Sequence, residues 1–253
     1  MVVIEHQPKE HGAYAILIIP VLTSFAAVGV SWVGVFVAAA SVAGFLAHEP
    51  LLVMIGHRGQ RARRSATTAS RYLLTLTVIC IASGVASLIS GNVAVRVALI
   101  GCVVLATLSF GVAFAGRHRT PLGQTAGVIG LSAPCVPILL AGGMGTGDAL
   151  KTWVVWLLGF AATTLAVRSV IAFQKHRNRM LHWTGLTAIS VFPLSMFVWW
   201  MDANDWVLPV IPMVLASWYL MIQPPPAKRL KQIGWSLVGA TVLTAISVVV
   251  VIP

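Results

Sequence analysis

Three short groups of ionisable residues interrupt a chain that is otherwise strongly apolar, and they define the chemistry open to it. The first is Pro8-Lys9-Glu10-His11-Gly12-Ala13-Tyr14, an acid, a base and an imidazole ahead of an apolar stretch. The second is Ala47-His48-Glu49-Pro50-Leu51-Leu52, near the end of another. A histidine beside a carboxylate can pass a proton or hold a single divalent metal ion, so Glu10, His11, His48 and Glu49 are candidate catalytic residues. The third group is Arg168, Lys175 and Arg179, at offsets of seven and four, which a continuous helix would align on one stripe. Guanidinium and ammonium groups grip anionic oxygens by charge-assisted hydrogen bonds, which makes this group a candidate anion or substrate site. A magnesium pair would need more oxygen ligands than these groups supply, and the sequence names no metal or other cofactor.

Each group also has a plainer reading. Pro8 and Glu10 suit the first turn of a helix, where a fixed φ and a negative charge are both favourable. Glu49 can be a neutral acid hydrogen-bonded to a neighbouring helix, and Arg168 can extend its charge toward the membrane surface. Pro50 removes a backbone donor beside Glu49 and frees a carbonyl there.

The elements that must carry these residues are membrane-length helices. A spanning helix needs about 20 mostly apolar residues, and candidates fall at 12–31, 33–55, 72–90, 93–115, 122–142, 150–173, 181–200, 205–222 and 233–252. The connections after the second, fourth, sixth and eighth spans hold His57 to Arg64, Arg117-His118-Arg119, Lys175 to Arg179 and Lys228-Arg229-Leu230-Lys231. The intervening connections hold Gly91-Asn92, Gly145 to Asp148 and Asp202 to Asp205, with only Arg96 and Lys151 nearby. By the positive-inside rule the basic set is cytoplasmic. The expected fold is therefore all-α: a polytopic membrane helical bundle of nine transmembrane helices in one domain, N-terminus cytoplasmic and C-terminus on the far side. Trp199, Trp200 and Trp206 read as an interfacial belt, and Pro134, Pro137, Pro209 and Pro212 predict interruptions in the fifth and eighth spans.

Composition agrees, with 58% hydrophobic and 9% charged residues and a mean hydropathy of +0.92. The net charge of +11 sits in short basic loops, where membrane lipids rather than nucleic acid are the expected partner. Cys80, Cys102 and Cys135 fall in separate spans without a paired spacing, so neither zinc nor a disulfide framework is signalled. Glu5 and Glu10 beside a lone Lys9, ahead of a long apolar run, argue that the first span is retained rather than cleaved as a signal peptide.

The pairing of Pro8-Lys9-Glu10-His11-Gly12-Ala13-Tyr14 with Phe45-Leu46-Ala47-His48-Glu49-Pro50-Leu51-Leu52 resembles the YwiC-like family of bacterial membrane proteins. That family has no well-established activity. The architecture is also similar to UbiA-type prenyltransferases, whose nine helices carry aspartate-rich motifs at the cytoplasmic ends of the second and sixth. In those enzymes the motifs bind magnesium and a prenyl diphosphate. Here Glu49 and the Arg168 group stand at those places and the aspartates are missing. If the chain catalyses, the resemblance implies a prenyltransferase-like transferase with altered chemistry.

Spans 1, 2 and 6 thus bring ionisable groups toward one side of the membrane, and a shared site is the economical expectation. Its ligand would be an isoprenoid or lipid with an anionic phosphate head, held by Arg168, Lys175 and Arg179. Two other readings remain: a carrier for a small anion or a proton-coupled solute, with Arg168 as the substrate cation and Glu49 as the proton-responsive group, and a non-catalytic assembly factor in a membrane complex.

Overall fold

The computed structural model describes residues 11–56, 66–116, 120–199, 207–226 and 230–251. Every regular element among them is helical, and the chain forms two compact units, Met1–Thr146 and Gly147–Pro253.

The first unit contains α1 (His11–Val28), α2 (Trp32–Ile55), α3 (Ala66–Ser90), α4 (Val93–Phe114), α5 (Pro121–Ser132) and α6 (Cys135–Ala141). Short polar residues start several of these apolar runs by accepting from orphan backbone donors. Ser31 accepts from the Gly34 N–H at 3.1 Å, Asn92 from Val95 at 3.0 Å, and Thr120 from Gly123 at 3.2 Å, with Pro121 in the first turn. Gly56 stops α2 at φ 89°, a left-handed conformation open to glycine, and its N–H returns to the carbonyls of Leu52 and Val53.

The fifth expected span is interrupted as its prolines predict. α5 ends at Ser132, Ala133 and Pro134 make a turn, and α6 resumes at Cys135. Residues 132–140 are all buried, because α1, α2 and α4 pack around this broken helix. Gly142 follows at a place where a Cβ would overlap the Val28 side chain, so the end of α6 can close onto α1 only without a side chain there. α2 and α3 pair through Ala43, Ala47 and Leu76, with Tyr72 and Leu73 packed alongside.

The second unit contains α7 (Thr146–Gln174), α8 (Met180–Trp199), a 3-10 turn at Leu208–Val210 leading into α9 (Ile211–Ile222), and α10 (Leu230–Val251). Its core joins Ala162, Ala166 and Val170 of α7 with Leu186 of α8, Leu220 and Met221 of α9 and Ile233 of α10. Small residues set the spacing: Gly159 lies against Met213, and Gly185 against Leu165. The Trp218 indole donates to Ser190 Oγ at 2.9 Å, which ties α9 to α8.

Among the described residues, six helices or helix pairs are long and apolar enough to cross a membrane: Trp32–Ile55, Ala69–Ser90, Val93–Val112, Gly123–Ala141, Thr146–Gln174 and Ile233–Val251. Gly12–Val28 and Leu208–Ile222 are shorter apolar helices. Large aliphatic side chains cover the outward faces of α3 and α4, with Ile81 60% and Val97 64% exposed. Such faces are unfavourable in water and ordinary against lipid, and the chain is an integral membrane protein.

Candidate functional site

In the first unit the site is built around Glu49. It lies six residues before the end of α2, about 9 Å along the helix axis, and is only 4% exposed. α2 runs through Pro50 without a break, so the Leu46 carbonyl four residues earlier lacks its helical donor next to the carboxylate. Glu49 and Tyr72 both bear electrostatically on Tyr14, which brings α1, α2 and α3 to one locality. The Tyr14 ring meets Phe45 edge-on at 4.9 Å, and the His48 ring lies 5.5 Å from Phe110 of α4. The first two expected groups therefore come together through Tyr14 and Glu49. His11 opens α1, and Glu10 lies outside the described residues, as do the basic residues of 57–64 and 117–119.

In the second unit the expected single stripe of Arg168, Lys175 and Arg179 does not form, because α7 stops at Gln174. His176 turns left-handed at φ 51°. Its N–H reaches the Phe173 carbonyl at 3.0 Å, and the Arg177 N–H reaches Ala172 at 2.8 Å. This pair of returning bonds closes a helix end. Lys175 is exposed in that turn, and Arg179 sits just ahead of α8.

Arg179 is held by the protein itself. Its Nε donates to Ser169 Oγ on α7 at 2.8 Å, and a terminal nitrogen donates to the Met221 carbonyl in the last turn of α9. The reason lies in Pro224-Pro225-Pro226: the amide that would serve Met221 in a continuing helix belongs to Pro225, which has no N–H. The guanidinium supplies the missing donor at the negative end of a helix and packs between Phe173 at 5.2 Å and Trp183 at 5.5 Å. Gln174 Nε2 adds a bond to the Pro225 carbonyl at 3.0 Å.

Arg168 is different. It stands six residues inside the end of α7, is half-buried, and has no hydrogen-bond or ion-pair partner among the described residues. Asp148, the one carboxylate among the described residues of this unit, sits in the first turn of α7 and pairs with Lys151 at 3.0 Å. His182, in the first turn of α8, lies within electrostatic reach of both Arg168 and Arg179.

Among the described residues no group of three His, Cys, Asp or Glu side chains could hold a metal ion. Asp202, Asp205, Lys228 and Arg229 lie outside the described residues, as do Trp200 and Trp206. The sequence reading missed Tyr72 and His182, neither of which belongs to the three ionisable groups it singled out. It also missed Ser169, although the triple proline that strands the α9 carbonyls was a legible demand for a nearby cation.

No curated protein and no solved structure matches the chain. The family model for YwiC-like proteins matches residues 7–139, just over half of the chain, a stretch that contains both the Glu10-His11 and the His48-Glu49 groups, and the protein belongs to the YwiC-like family.

Proposed function

We propose that this YwiC-like protein binds the anionic phosphate head of an isoprenoid or lipid at the cytoplasmic face of the membrane. The observation that supports it is Arg168: a guanidinium two turns inside an apolar helix, with no acceptor among the described residues. Arginine keeps its charge in such a place, so it calls for an anion. Lys175, exposed in the next turn, adds attraction for an anionic head. Arg179 spends two donor positions on Ser169 and Met221 and serves the site mainly by fixing the ends of α7, α8 and α9.

In this reading the protein crosses the inner membrane nine times in a UbiA-like arrangement with its N-terminus in the cytoplasm. The broken fifth pass is α5 with α6, and the eighth begins at the Leu208–Val210 turn. His48 and Glu49, with Glu10 and His11, are the groups available for proton transfer or for one divalent ion. The test is native mass spectrometry with lipid extraction on detergent-purified protein. Wild type should carry a co-purifying lipid or isoprenoid phosphate that Arg168→Gln loses; an empty wild type, or equal retention by both, overturns the reading.

A proton-coupled carrier is favoured by a different observation, the buried Glu49 within electrostatic reach of Tyr14. Its signature would be pH-driven anion uptake into proteoliposomes that Glu49→Gln abolishes.

A further inference from the structure

We draw no further inference here: the strongest candidate, the first turn of α8, which the Ser169–Arg179 hydrogen bond at 2.8 Å and the packing of Gly185 on Leu165 set level with Arg168 on α7, belongs to the anion site already described and adds to it only the N-terminus of a helix.

Discussion

The C-terminal ends of α2 and α7 each carry an ionisable residue about two turns inside an apolar helix, and the protein treats the two in opposite ways. Glu49 is almost fully buried and bears electrostatically on Tyr14 of α1. Arg168 is left half-open and without an acceptor among the described residues, although Arg179, eleven positions later, is bound on two sides. A carboxyl group can give up its charge and join the packing; a guanidinium cannot, and must find an anion or be given carbonyls. The difference teaches that a charge inside a membrane helix is not one kind of signal. Arg179 is tied to Ser169 and Met221, Glu49 is buried in the packing of its unit, and Arg168 stands without an acceptor among the described residues.

The sharpest way to break this comparison is Glu49→Lys. Placing an unpaired cation where an enclosed acid sat should destabilise by about 3–5 kcal/mol, seen as aggregation or a fall of roughly 10 °C in thermal unfolding in detergent. An unfolding temperature near that of wild type would mean that Glu49 is not part of the packing. Arg179→Met comes next. It strips hydrogen bonds from Ser169 and from the stranded Met221 carbonyl, each from a charged donor worth about 1.5–3 kcal/mol. The unfolding temperature should fall by more than about 5 °C, and Arg179→Lys should restore little because an ammonium lacks the fork that reaches both acceptors. The smallest effect on stability sharpens the contrast. Arg168→Gln should shift stability by no more than about 0.5 kcal/mol, while head-group retention is lost. A large thermal shift there would place Arg168 with Arg179 among the structural cations.

Much of the fold was legible because membrane helices announce themselves by length. The span expected at 33–55 became α2 over Trp32–Ile55, and that at 93–115 became α4 over Val93–Phe114. Pro134 was read as an interruption and ends α5. The site was less legible. The spacing of Arg168, Lys175 and Arg179 invited a single stripe, and a left-handed His176, a conformation that no glycine there foretold, ended the helix first.

The sequence by itself therefore determined the membrane, the helices and which residues were out of place in lipid, since burial of apolar surface and the demand for paired backbone groups depend on composition and length. It also identified the family through two short motifs. Only the tertiary structure decided which of those residues are satisfied, because that depends on what neighbouring helices bring within hydrogen-bond reach. Pro225 strands a carbonyl wherever it sits in a helix end, but only the packing of α7, α8 and α9 puts Arg179 there to serve it.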